Sequence, residues 1–296
     1  MGYLFLFIAL AAGVAKGYCG KRTSGYTSSF RDAILATFIR MCICSVFGFL
    51  FVILMGDLDA LMPTKEMLLV ALLTGASTAV LLVMWLMCAR RSAYMMLDIV
   101  MMLGMLIPLV SSRIFFSEAI SPFQWLGMAV LFVAVIIMCS YNNSIKTKLT
   151  LSSILFLLIA GATNGLVDFS QKLFTKTVPD GSAAVFNFYS YVITAVILAF
   201  AFLVINKFAP PQEEKAQIKK ILPFISVMAV CLFLNSYFKT LAAQYLDAVL
   251  LYPLNQGCGM IFSAIMAALF FKEKFTLKAA IGIITAFAGL LIINFS

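Results

Sequence analysis

Ten apolar runs, each long enough to cross a bilayer, follow one another along this chain. They cover roughly 3–20, 30–55, 67–88, 93–116, 122–140, 151–172, 183–206, 221–243, 246–271 and 277–295, and a spanning helix needs about 20 such residues. Lipid tails offer the backbone no hydrogen bonds, so a spanning segment is either a helix or part of a closed barrel. The runs are continuous rather than alternating, which selects helices over barrel strands. Composition agrees: of 296 residues, 64% are hydrophobic and 11% charged, where a soluble domain keeps roughly a quarter charged. The expected fold is an all-α membrane protein with ten transmembrane helices, multi-pass in an inner or plasma membrane.

The connections leave no room for a separate catalytic module. The longest polar one, Asn206 to Lys220, carries Pro210-Pro211 and mixed charges. The first run lacks a basic stretch before its apolar core and has Lys16, Lys21 and Arg22 at its far end, the pattern of a retained helix rather than a cleaved leader. The formal charge of +9 is scattered over short loops, as expected for charges that orient a protein in the bilayer and not for a nucleic-acid surface. Seven cysteines lie mostly within apolar runs without CxxC spacing, and histidine is absent. No metal site, cofactor or enzymatic activity is therefore expected, and no GxxxxGK[ST] loop points to ATP.

The chain repeats itself. Phe115-Phe116-Ser117-Glu118 recurs as Phe270-Phe271-Lys272-Glu273, and the same shift of 155 carries Gly127 onto Gly282. A shift of 151 carries Leu4-Phe5-Leu6 onto Leu155-Phe156-Leu157 and Lys21 onto Lys172. The expected organisation is one five-helix repeat over 1–145 and a second over 146–296. Because five is odd, the second enters the membrane from the opposite face, which is the arrangement of many transporters working by alternating access.

These repeated ends, Phe-Phe-Ser-Glu…Gly127 and Phe-Phe-Lys-Glu-Lys-Phe-Thr…Gly282-(x)6-Gly289, resemble the closing segments of each half in the EamA family of the drug/metabolite transporter superfamily. The resemblance covers nearly the whole chain and implies a five-plus-five helical fold with secondary transport activity. Pro108 stands ten residues before Glu118 and Pro253 twenty before Glu273, neither at the family's usual spacing. The family handles amino acids, sugars, nucleotide sugars and cationic drugs, so resemblance does not name the substrate.

Ionisable residues inside apolar runs are costly unless paired or facing a wet cavity. Let face A be the side on which the first helix ends and face B the side holding both termini. Lys16 and Asp98 then sit at similar depth near face A, and Asp168 and Lys239 near face B. Two gates follow as a hypothesis, with snorkelling to the interface as the plainer reading. Arg40 lies mid-span, where snorkelling is expensive, and should face the central cavity to meet either a carboxylate of the protein or an anionic substrate group. Asn164, Asn187, Tyr189, Asn235, Tyr237, Tyr252, Asn255 and Gln256 are the polar lining expected of a substrate site, against the alternative that such groups bond between helices. Glu118 and Glu273, with Gly127 and Gly282, are expected to be structural, each Glu accepting backbone N–H bonds of the following helix.

Basic residues collect in face A loops, which places face A in the cytoplasm by the positive-inside rule. The family resemblance implies cytoplasmic termini, the opposite orientation. The function these features favour is secondary transport of a small metabolite, an amino acid or another carboxylate-bearing solute. The alternative is a small multidrug-type exporter of lipophilic organic cations, which needs an unpaired membrane acid. Expected partners are the small-molecule substrate, the bilayer and a coupling ion, H+ or Na+, in a monomer or homodimer.

Overall fold

The computed structural model describes all residues except 28, 92–96, 98–99, 146–149, 209–217, 273–275 and 295–296. Ten helices lie among the described residues. They are α1 (Gly2–Ser24), α2 (Phe30–Met55), α3 (Lys65–Arg91), α4 (Val100–Phe116), α5 (Pro122–Ile145), α6 (Leu151–Thr177), α7 (Ala183–Phe208), α8 (Ile218–Tyr245), α9 (Ala248–Phe270) and α10 (Leu277–Asn294). All but α4 and α10 are long and apolar enough to cross a membrane on their own. The outer surface is lined by bulky apolar side chains such as Phe7, Val46, Leu69, Ile136 and Phe200, as lipid demands and water would not tolerate.

Local chemistry sets the helix ends. Ser29 and Asp32 form a reciprocal capping box at the start of α2, each bond 3.1 Å, which satisfies two orphan N–H groups. Gly56 ends α2 at φ +76°, a conformation that is cheap for glycine. The repeated Phe-Phe-x-Glu motif ends its helices differently. Ser117 and Lys272, the x residues of its two copies, have φ +56° and +50°. Left-handed backbone costs a side-chain-bearing residue roughly 1–2 kcal/mol, so tertiary contacts must hold both turns.

Those contacts come in matched sets. Phe115 and Phe116 pack on Phe169 of α6, while Phe270 and Phe271 pack on Tyr18 of α1, with ring centroids 5.3–6.3 Å apart. Lys172 donates to the carbonyls of Ala243 and Leu246 at the end of α8, and Lys21 donates to Ala89 at the end of α3, where the negative ends of the helix dipoles lie. Helix partners follow the same rule. The contacts α1 with α8, α1 with α9 and α2 with α8 are matched by α6 with α3, α6 with α4 and α7 with α3, while α2 with α7 and α5 with α10 map onto themselves.

Glycines allow the closest approaches. In the α5–α10 seam a Cβ on Gly127 would meet Gly289 and Ile293, and one on Gly282 would meet Met138. Gly104 of α4 lies against Gly161 and Gly165 of α6 so closely that a methyl group at Gly165 would overlap the Gly104 carbonyl oxygen. Small residues of this kind let helices associate in lipid, where the hydrophobic effect does not drive them together.

Gly165→Ala is therefore expected to destabilise the detergent-solubilised protein by about 1–3 kcal/mol. Gly259→Ala, at a position with no neighbour within 4 Å, should be neutral or slightly stabilising. Thermal unfolding of both variants checks this, and equal midpoints would count against the packing argument.

Candidate functional site: a polar cavity at mid-depth

A cavity of ≈ 160 Å³ lies between the halves. Helix periodicity supplies its walls: Gly13, Lys16 and Gly17 from α1, Trp85 from α3, Asn235 and Lys239 from α8, and Asn255, Gln256, Gly259 and Ser263 from α9. Asn164 of α6, Met101 of α4 and Arg40 of α2 also line it, and Leu10, Val14, Leu81, Leu82, Met228 and Met260 supply the rest of its apolar wall.

Arg40 is buried at 3% exposure, ten residues and roughly 15 Å beyond the start of α2. Its Nη1 donates to the Met228 sulfur at 3.2 Å, a weak acceptor. Its Nε and Nη2 have no partner, and no carboxylate among the described residues pairs with it. The protein carboxylate weighed as one partner for Arg40 is thus not found there.

The other charges are compensated. Lys239 Nζ lies 2.5 Å from Asp168 Oδ1, and Asp168 is fully buried. Tyr252 donates its hydroxyl to the Asp168 carbonyl at 2.5 Å. Lys16 donates to Asn235 Oδ1 at 3.2 Å, and Asn235 in turn donates to the Ala9 carbonyl. Asp98, the partner assigned to Lys16, lies outside the described residues, as does Glu273.

The polar residues expected at the site divide. Arg40, Asn164, Asn235, Asn255 and Gln256 line the cavity, together with Lys16 and Lys239. The other four do not. Asn187 joins α7 to α8 through Thr240 and Ser236. Tyr189 turns outward to bond the Leu61 carbonyl, Tyr237 stacks among Phe51, Phe233 and Phe238, and Tyr252 supports Asp168. Each points to the wrong side of its helix, which depth along the sequence does not reveal. Trp85, Met101, Gly13 and Ser263 join the lining unanticipated. Spacing was the available signal: Asn255, Gly259 and Ser263 recur every fourth residue on one face of α9.

Glu118 needs a correction. Instead of capping the helix that follows it, Glu118 accepts from the Ala248 N–H at the start of α9, 3.2 Å away, and lies 3.4 Å from Lys172. Its own next helix is capped by Ser121 and Gln124. Lys172 is accordingly buried, at 2% exposure.

Residues 151–295, spanning α6 to α10, match the EamA-like transporter family. No curated protein matches the chain. A solved crystal structure of a protein 14% identical superposes with a TM-score of 0.71, covering 99% of this chain and 97% of that one, a likeness of fold alone. An all-helical bundle of long apolar helices enclosing a cavity with polar side chains is the architecture of a multi-pass membrane protein. Its second half belongs to the EamA-like transporter family, and the protein is a multi-pass membrane transporter of the drug/metabolite type.

Removing one partner of the buried pair should cost more than removing both. Asp168→Asn strands the Lys239 ammonium, an expected loss of about 3–5 kcal/mol. Asp168→Asn combined with Lys239→Met should recover a substantial part of it. A double-mutant cycle on thermal stability reads the coupling, and additive losses would mean that the pair is not energetically linked.

Proposed function

We propose that this transporter moves a small carboxylate-bearing metabolite by secondary active alternating access, with the mid-depth cavity as its binding site. Arg40 carries the reading. A buried guanidinium with two unpartnered nitrogens is an expensive feature to retain unless an anion visits it. A substrate carboxylate supplies the missing charge-assisted hydrogen bonds. The side-chain amides of Asn164, Asn255 and Gln256 make no hydrogen bond to another described residue, so they remain available to a polar solute.

The mechanism rests on two inverted five-helix units, 1–145 and 146–296. The matched helix contacts, the two left-handed turns and the symmetric Lys21 and Lys172 contacts support that division. Exchanging the conformations of two such units converts a state open to one face into a state open to the other. Lys239–Asp168 serves as the gate toward face B and is joined in this structure. Lys16 and Asp98 form the corresponding gate toward face A. A proton or sodium gradient across an inner or plasma membrane supplies the driving force.

Export of organic cations is the second reading, and the charges oppose it. It requires an unpaired acid at the cavity, yet among the described residues no Asp or Glu lines the space and Asp168 is committed to Lys239. The volume is also below the roughly 300–1,000 Å³ typical of drug-sized sites.

Purified protein reconstituted in liposomes should exchange at least one of labelled lactate, succinate or alanine, and should not move ethidium. Arg40→Ala should lower that exchange about tenfold or more, the consequence of losing hydrogen bonds to a charged group. Ethidium transport with unchanged rates in Arg40→Ala would refute the carboxylate reading.

A further inference from the structure

We infer that the coupling ion is a proton and that Oδ2 of Asp168 is where it binds, an inference that rests on the transport reading above. Asp168 is fully buried, and only one of its carboxylate oxygens is used. Oδ1 takes the Lys239 ammonium at 2.5 Å, while Oδ2 has no hydrogen-bond partner. One turn on, Gln171 is 1% exposed and its Oε1 also lacks a donor. Residues three apart share a helix face, and both side chains reach α8, Asp168 to Lys239 and Gln171 to Ser236. A relay of hydrogen bonds fixes which way the Gln171 amide points. Asn187 Nδ2 donates to the Ala183 carbonyl, so its Oδ1 accepts from the Ser236 hydroxyl, which in turn accepts from Gln171 Nε2. Oε1 is left as an acceptor with nothing to accept. Two buried acceptors on one helix face call for a donor, and a proton on Asp168 Oδ2 supplies it as an O–H group with Gln171 Oε1 as acceptor. A hard metal cation gathers roughly six oxygens, and α6 offers only these two without a partner, beside an ammonium. The site therefore suits a proton and not sodium.

The position of Lys239 couples this proton to the solute. Lys239 lines the cavity and Asp168 does not, so the ammonium stands between the buried carboxylate and the space where a solute carboxylate binds. Opening the gate toward face B separates Lys239 from Asp168, and a bare separation leaves two charges unpaired away from water. An exchange of counterions avoids this. One proton from the aqueous phase forms an O–H bond at Asp168 Oδ2, and Lys239 passes its N–H···O bond from Asp168 Oδ1 to the solute carboxylate. One positive and one negative charge enter together, and the ammonium stays paired throughout. The other titratable groups around Asp168 are already held. Tyr252 of α9 donates to the Asp168 carbonyl, and Lys172, one turn further along α6, is held by Glu118 and the end of α8. Arg113 of α4 bonds the Ile120 carbonyl. α3 meets α6 here through the Thr74 and Ser170 hydroxyls and keeps Lys65, Glu66, Arg90 and Arg91 at its ends. Among the described residues, Lys239 is thus the one charge in contact with the Asp168 carboxylate.

The test uses the full-length purified protein with lactate and succinate as probes, both ionised between about pH 7 and about pH 8. If each bound carboxylate brings one proton, the affinity read by thermal shift should tighten about tenfold from the upper to the lower end of that interval. A pH-indicator dye in weak buffer should record about one proton taken up per probe bound. Asp168→Asn places an N–H donor where the proton would sit, so its affinity should be the same at both ends. In liposomes with an alkaline interior, the protein should accumulate labelled probe above the level of protein-free liposomes, with or without sodium. Asp168→Asn should lose that accumulation and keep counterflow, whereas a merely structural role loses both together. If that variant does not fold, the wild-type pH dependence and proton uptake decide the matter. Equal wild-type affinity across the interval, accumulation that requires sodium, accumulation retained in Asp168→Asn, or no binding of either probe would each overturn the inference. Joint loss of accumulation and counterflow in a folded Asp168→Asn would do the same. Failure of the transport reading looks different. Proton-linked binding without exchange would refute transport and leave the proton site standing. Exchange without proton movement would refute the proton site and leave transport standing.

Discussion

Lys239 and Asp168 meet inside a bundle surrounded by lipid, and neither charge has water to fall back on. That shortage of hydrogen-bonding solvent orders the polar contacts throughout the protein. Thr74 bonds Ser170 across α3 and α6, Gln171 bonds Ser236 across α6 and α8, and Ser236 bonds Asn187 across α8 and α7. Lys172 gathers Glu118 and two carbonyls around one ammonium. These contacts concentrate toward face B, where they tie α3, α4, α6, α7, α8 and α9 into one polar seam. Such a seam holds because breaking any one link leaves a polar group stranded away from water.

Against that background, the few polar groups without partners acquire meaning. Arg40 is buried and half satisfied, and the amides of Asn164, Asn255 and Gln256 are uncommitted, all around one cavity. Other buried atoms also lack a partner, Thr37 Oγ1, Ser112 Oγ, Asp168 Oδ2 and Gln171 Oε1 among them, so what sets this ring apart is that its open groups share one cavity.

Symmetry sharpens the same distinction. The repeated residues do structural work: Lys21 and Lys172 cap helix ends, Gly127 and Gly282 admit close neighbours, and the Phe-Phe pairs clasp α1 and α6. The cavity charges are not repeated. At shifts of 151 to 155 Arg40 falls against 191–195, Tyr-Val-Ile-Thr-Ala, and Lys239 falls against 84–88, Met-Trp-Leu-Met-Cys. At the shift of 151 that aligns α1 with α6, Lys16 falls against Val167 and Asp168 against Gly17. The helix contacts recur in matched sets while the cavity charges occur once, so the cavity is asymmetric.

What could be read from sequence follows from which coordinate a linear chain encodes. Depth is encoded, because residues advance about 1.5 Å each along a helix. Counting from helix ends therefore put Lys239 level with Asp168 and Arg40 near mid-span. Rotation about the helix axis is encoded only weakly when every face is apolar, and the mean apolar character of α7 and α8 differs little around their circumference. Tyr189 and Tyr237 sit at useful depths and point elsewhere for that reason. Glu118 illustrates the remaining gap. Its neighbour in sequence, α5, was the natural partner to expect, yet the left-handed turn at Ser117 swings the carboxylate toward Ala248, 130 residues away. This acidic residue thereby fastens the first half of the chain to the second. A contact between halves is invisible to any argument that treats each half as a unit, and this one joins the turn after α4 to the first N–H group of α9.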